Sequence, residues 1–107
     1  MRSGEALKGH LDLLLLAILE SRPLHGLAVH EELCQRSNGL FDLSQGTIYP
    51  ALHRLERAGL IMSGPRRAAN GHVRRVYRLT RLGKQGLAER RHEWRTFSVT
   101  VSGILGP

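Results

Sequence analysis

A chain of 107 residues, 41% of them hydrophobic, has room for one domain and a modest core. The net charge is +7 with six histidines still to titrate, and the surplus is lopsided: residues 1–53 carry four Lys/Arg against six Asp/Glu, residues 54–107 twelve against three. Cys34 is the only cysteine, which excludes an intrachain disulfide framework, and the apolar run Leu13–Leu19 falls far short of the ~20 residues a membrane span needs.

In chain order, the first helix is expected over about Glu5 to Ser21. Leu7, Leu11, Leu14, Leu15, Ile18 and Leu19 make one stripe, yet Leu13, Leu16 and Ala17 are apolar too. A helix apolar nearly all round wants burial on both sides, and in so small a domain the second side points to another subunit. Arg22-Pro23 ends it, because the residue before proline is pushed out of helical geometry. A second helix is expected over about His25 to Ser37, with Gly26, Val29 and Leu33 inward and Asn38-Gly39 as its stop.

The third helix, Ser44 to about Ala58, has two faces. Ile48, Ala51, Leu52 and Leu55 fall at i, i+3, i+4 and i+7, while Thr47, Tyr49, Pro50, His53, Arg54 and Arg57 lie off that stripe. Pro50 predicts a late start or a slight distortion, since it lacks the donor a helix interior needs. Gly59 then supplies a left-handed stop. Two helices joined by a short link, the later one lined with Thr, Tyr, His and Arg, form a helix-turn-helix pattern.

After Gly59 the periodicity changes to that of strands. Leu60-Ile61-Met62 reads as extended, and Asn70-Gly71 predicts a hairpin with a two-residue turn. In Val73–Leu79, alternation sets Arg75, Tyr77 and Leu79 on one face and Arg74, Val76 and Arg78 on the other. Arg66, Arg67, Arg74 and Arg75 flank the turn: a basic wing following a recognition-type helix. Thr80 is a suitable N-cap for a last helix running to about Leu105. At ~25 residues it would extend ~37 Å, beyond what the domain can cover. Its stripe of Leu87, Trp94, Phe97, Val101, Ile104 and Leu105, with Leu11, Leu14 and Leu15 of the first helix, is expected to form a dimer interface. The fold class is therefore mainly α with a small β-hairpin, a winged helix-turn-helix over residues 1–79 and a dimerisation helix over 80–107.

These elements resemble the PadR family of bacterial transcriptional regulators. The resemblance rests on Pro23-Leu24-His25-Gly26, on Gly46-Thr47-Ile48-Tyr49-Pro50-Ala51-Leu52-His53-Arg54-Leu55-Glu56, on Gly59-Leu60-Ile61 and on Arg74-Arg75-Val76-Tyr77-Arg78-Leu79-Thr80. It covers nearly the whole chain and is similar to the compact subgroup with a single C-terminal helix. It implies a homodimer that binds an imperfectly palindromic operator, usually as a repressor. One departure stands at Leu27, where the family commonly has a tyrosine able to reach the DNA backbone.

Double-stranded DNA is the expected partner. Ser44, Gln45, Gly46, Thr47 and Tyr49 open the third helix, the end that enters the major groove. Ser44 is equally suited to capping that helix, and Tyr49 to covering the core edge. His53 and Arg54 follow on the same side; Arg57 is explained as well by Glu56 or by solvent. Arg66, Arg67, Arg74 and Arg75 suit phosphates, although alternation sends only about half of them to one side.

Trp94 and Phe97 read first as dimer core. Some family members resemble drug sensors that hold flat ligands between paired tryptophans, which makes the same two residues the candidates for a small aromatic effector. His30 and Cys34 are spaced as two metal ligands could be, but no further cluster joins them, so no metal and no cofactor is expected. A P-loop, a dinucleotide-binding turn, a nucleophile elbow and a carboxylate pair are all lacking, which argues against an enzyme. A winged-helix protein-interaction module and a non-specific DNA binder are the alternatives. A membrane partner is disfavoured, since the arginines are not backed by bulky apolar residues. A reducing, cytoplasmic setting close to the nucleoid is expected.

Overall fold

The computed structural model describes residues 9–107, arranged as α1 (Leu11–Leu19), β1 (Leu24–His25), α2 (Gly26–Arg36), α3 (Gln45–Arg57), β2 (Ile61–Arg67), β3 (Val73–Leu79) and α4 (Arg81–Leu105). The three strands form one antiparallel sheet in the order β1-β3-β2. It is the winged helix-turn-helix fold with a long final helix, mainly helical and carrying a small sheet.

The core is assembled from the apolar stripes. Leu15, Leu16, Ile18 and Leu19 of α1 meet Val29 and Leu33 of α2, Ile48, Ala51, Leu52 and Leu55 of α3, Ile61 and Tyr77 of the sheet, and Leu87 of α4. Each fully buried leucine or isoleucine contributes on the order of 1.5–3 kcal/mol over exposure. This settles one question of partition. Leu15 and Leu87, expected at a dimer interface, lie at 0% and 1% exposure inside the protomer core. Apolar character is the same whether the neighbour comes from this chain or another, so the sequence pattern does not distinguish them.

Gly9 adopts φ +91°, a turn conformation, and α1 begins only at Leu11 and ends at Leu19, inside the expected bounds. The proposed start near Glu5, and Leu7, lie outside the described residues. The second helix closes as expected, with both Asn38 and Gly39 at positive φ. α3 runs unbroken through Pro50 from Gln45, with no delayed start. The missing Pro50 donor leaves the Gly46 carbonyl without its helical partner, and both residues are exposed to solvent.

The end of α3 and the start of α4 are locked together. Leu60 N–H donates to the Leu55 carbonyl and Gly59 N–H to that of Glu56, the two bonds of a Schellman cap, with Gly59 at φ +78°. Thr80 then donates its hydroxyl to the Gly59 carbonyl at 2.6 Å and accepts from Gly83 N–H as the α4 N-cap. Gly83 packs against this corner so closely that a Cβ there would lie 1.9 Å from the Leu60 carbonyl oxygen.

Two features of the sheet differ from expectation. β1 pairs only Leu24 with Tyr77 and His25 with Val76, too short a strand to leave a periodic trace. The hairpin does not turn on two residues: Arg67 pairs with Val73, Ala68 N–H donates to the His72 carbonyl, and Gly71 N–H donates back to Ala68. This is a three-residue connection in which Gly71 alone takes positive φ, at +86°. Asn70 instead uses its side chain, accepting from His72 N–H.

Candidate nucleic-acid interface

The exposed surface of α3 has a spine and two flanks. Opposite the buried Ile48, Ala51, Leu52 and Leu55, at i, i+4, i+7 and i+11, stand Gly46, Pro50, His53 and Arg57, all exposed. Glycine and proline keep the first part of the spine low, so a groove wall could approach the helix closely. Ser44 occupies the N-cap position, but its hydroxyl meets Thr47 Oγ1 at 3.1 Å and no backbone N–H of the first turn. That expected cap is therefore not made by the side chain. Thr47 N–H donates to the Ser44 carbonyl, while the Gln45 and Gly46 N–H groups remain open to an anionic oxygen.

Each flank is held by the fold. On the α1 side, Arg54 forms an ion pair with Asp12. On the sheet side, Tyr49 lays its phenol over Gly26, where a Cβ would lie 2.4 Å from its hydroxyl oxygen. Tyr49 thus covers Gly26 while staying over one-third exposed. It also explains why glycine must open α2. Gln45, Gly46, Thr47 and His53 are exposed.

Arg57, explained from sequence as well by Glu56 or by solvent, is the solvent-facing arginine of α3. It lies on the outward spine and makes no ion pair among the described residues, whereas Arg54, the favoured arginine, is engaged by Asp12. A helical wheel centred on the buried stripe ranks Arg57 above Arg54. What sequence cannot supply is the partner 42 residues away.

Strand register sorts the wing arginines. Arg66 pairs with Arg74 across β2 and β3 and shares its face, where Arg78 also lies; Arg67 pairs with Val73 and Arg75 with Pro65 on the other face. Arg75 donates to Ser63 Oγ at 2.8 Å, and Ser63 donates to Glu56 Oε2 at 2.5 Å. This relay ties the wing to α3. Arg67 donates to the Gly71 carbonyl and closes the turn. The division into halves follows alternation, and the half with structural duties inside the protomer is Arg67 and Arg75. Arg66 and Arg78 make no side-chain bond among the described residues, and Arg74 rests against His25. Tyr77, beneath the wing, has its phenol pushed above the usual range, chiefly by burial and then by the Glu56 carboxylate.

At the other end of the molecule, Trp94 stands between His10, in edge contact at 5.3 Å, and Phe97 at 6.0 Å. A recess of about 380 Å³ lined by His10, Leu13, Arg90, Glu93, Trp94 and Phe97 opens there. Leu11 and Leu14 are half-buried, Val101 likewise, and Phe97, Ile104 and Leu105 are exposed. Glu20 ties α1 to α4 by accepting two bonds from Arg91, at 3.0 and 3.1 Å; that pairing lowers the Glu20 pKa and raises that of Arg91. His30 faces Asp42 at 3.4 Å, and among the described residues no group of three His, Cys, Asp or Glu could hold a metal. No helix in the described residues is long and apolar enough to cross a membrane.

Comparison with known proteins agrees with this geometry. The family model described as transcriptional regulator PadR-like matches residues 15–89. An uncharacterized protein of Lysinibacillus sphaericus is 31% identical over 88% of this chain and 86% of its own length. A transcriptional regulator of Mycobacterium tuberculosis is 39% identical over 75% of this chain and 71% of its own. Among solved structures, a PadR-like transcriptional regulator from Bacillus cereus superposes with a TM-score of 0.87 at 29% identity, covering 96% of this chain and 98% of the other.

Proposed function

The chain belongs to the PadR-like family of transcriptional regulators, DNA-binding proteins of winged-helix fold, and from that premise we propose that it works as a homodimeric repressor of a two-fold symmetric operator. α3 enters the major groove of each half-site with its first turn leading, and Gly46, Pro50, His53 and Arg57 form its closest surface. Ser44, Gln45, Thr47 and Tyr49 supply the hydroxyl, amide and phenol groups around it. Arg66 and Arg74 reach the flanking backbone from the wing, while Arg54, Arg67 and Arg75 shape the surface from inside. Phosphate contacts of this kind give affinity and register, and base contacts from α3 give sequence preference.

The observation that carries this reading is the uncapped first turn of α3 beside the outward Arg57. The open N–H groups and the low Gly/Pro ridge suit the close approach of a phosphate-lined groove. The exposed Trp94, Phe97, Ile104 and Leu105, with the half-buried Leu11, Leu14 and Val101, form the dimer seam. Residues 80–107 act as the dimerisation helix and the preceding part as the DNA-reading unit. The Trp94–Phe97 recess takes a small aromatic effector, which acts by changing the angle between the two wings. The protein works in the cytoplasm.

The test is selection from a random duplex pool at ~150 mM salt, where non-specific binding is weak. The reading expects two inverted half-sites one helical turn, ~34 Å, apart. Uniform recovery of the pool would replace it with backbone binding indifferent to sequence.

A further inference from the structure

The contact between Arg74 and His25 poses a chemical problem. His25 ends β1 and caps α2: its Nδ1 accepts from Ala28 N–H at 3.2 Å. In a neutral imidazole that acceptor must be unprotonated, which places the proton on Nε2 and makes Nε2 a donor. Arg74 Nη1 lies 2.7 Å from this same Nε2, and a guanidinium has only donors. Two donors therefore converge with no acceptor between them. The other tautomer lets Nε2 accept from Arg74, but it then strips Ala28 of its cap. Either way one N–H is left over within the protomer.

The surroundings offer no anionic acceptor to absorb it. The recess here, about 310 Å³, is lined by His25, Gly26, Leu27, Tyr49, Arg74, Arg75 and Tyr77, with no carboxylate among them. Arg75 is turned away to Ser63, and the Tyr49 hydroxyl above Gly26 makes no hydrogen bond among the described residues. The place is also right for nucleic acid, since it lies between the Tyr49 flank of α3 and the wing strand β3.

We propose that His25 is a DNA-contacting residue, its Nε2–H and the Arg74 guanidinium sharing one backbone phosphate at the junction of α2, α3 and the wing. An anionic oxygen seated between them satisfies both donors while Nδ1 keeps the Ala28 cap. The Arg74 bond then becomes charge-assisted, which roughly doubles a neutral hydrogen bond. The site serves a chain with Leu27 beside it, a side chain that offers no hydrogen bond of its own.

This inference rests on the DNA-binding reading above, and the experiment separates the two. His25→Asn keeps an N-cap acceptor for Ala28 while removing the Nε2 donor. It is measured with Arg74→Gln and the double variant by fluorescence anisotropy, on a selected duplex and on an unrelated one, across a salt series. His25→Asn is expected to weaken both duplexes by a similar factor, about tenfold, as one lost phosphate bond does. Arg74→Gln should lower the salt slope by about 1, and the double variant should fall short of the product of the two single effects, because both act through one phosphate.

Thermal melts of all three proteins establish that each is folded. His25→Asn binding like the parent, or effects that multiply, would overturn the shared phosphate and leave the regulator reading intact. A parent protein that binds neither duplex would overturn both.

Discussion

The two halves of α4 obey different masters. From Arg81 to Glu89 the helix belongs to its own protomer: Thr80 caps it, Gly83 presses on the Leu60 carbonyl, and Leu87 is buried in the core. From Arg90 onward no residue is buried, and Trp94, Phe97, Ile104 and Leu105 stand 44–80% exposed on one stripe. Thr96, Val99, Thr100, Val101 and Gly103 give this half weak helix propensity. A helix that is intrinsically poor and unburied, yet keeps an apolar stripe, fits the proposed dimer seam. The same contrast recurs on α3, where Arg54 is satisfied by Asp12 and Arg57 is left outward. Groups satisfied inside the protomer build the fold, and those left open are the ones proposed to meet partners.

Several substitutions would break or sharpen that division. The largest effect is expected at the inner half: Gly83→Ala forces a methyl against the Leu60 carbonyl and should cost about 3 kcal/mol in urea denaturation. A loss below about 0.5 kcal/mol would show that the corner yields freely. At the outer half, Ile104→Asp should leave the cooperative urea unfolding of the protomer core intact but weaken self-association about 100-fold, since a charge would enter the seam unpaired. Unchanged association would remove the distal stripe from the interface.

On α3, Arg57→Ala should reduce affinity for a selected duplex about tenfold and Arg54→Ala distinctly less. The reverse order would mean that Asp12 releases Arg54 to DNA. Gly103 lies opposite the stripe with open space around it, so Gly103→Ala should raise the melting temperature modestly, by about 0.5–1 kcal/mol of stability; a fall would place that side in contact too.

The smallest effect concerns the tether between α1 and α4. Because pairing with Arg91 lowers the Glu20 pKa, its stabilisation is present above the ordinary carboxylate range and fades as pH falls through the lowered value. Both partners are well exposed, so Glu20→Gln should cost less than about 0.5 kcal/mol at neutral pH. A larger loss would make the tether a main support of α4.

Much of this arrangement was legible in the sequence, for reasons that differ between residues. Helical periodicity and strong stops at Asn38-Gly39 and Gly59 located α2 and α3, and alternation divided the wing arginines by face. β1 escaped because two residues carry no period. The Asn70-Gly71 pair announced a turn but not its length, since both turn types accept that dipeptide. Leu15 and Leu87 look like interface leucines and are core leucines, because hydrophobicity records burial and not the identity of the neighbour. Arg54 outranked Arg57 in sequence because a carboxylate 42 residues away leaves no local trace. His25 reads as part of a helix start, and only its second nitrogen, 2.7 Å from Arg74, reveals a further use.

The account stands most directly on stoichiometry. Sedimentation equilibrium of the protein alone at micromolar concentration, and then with a duplex carrying both selected half-sites, measures it. A dimer is expected in the first case and two protomers per duplex in the second, bound together with no one-protomer complex. A free monomer that occupies each half-site independently would contradict it, because the distal half of α4 would then have no partner to order it.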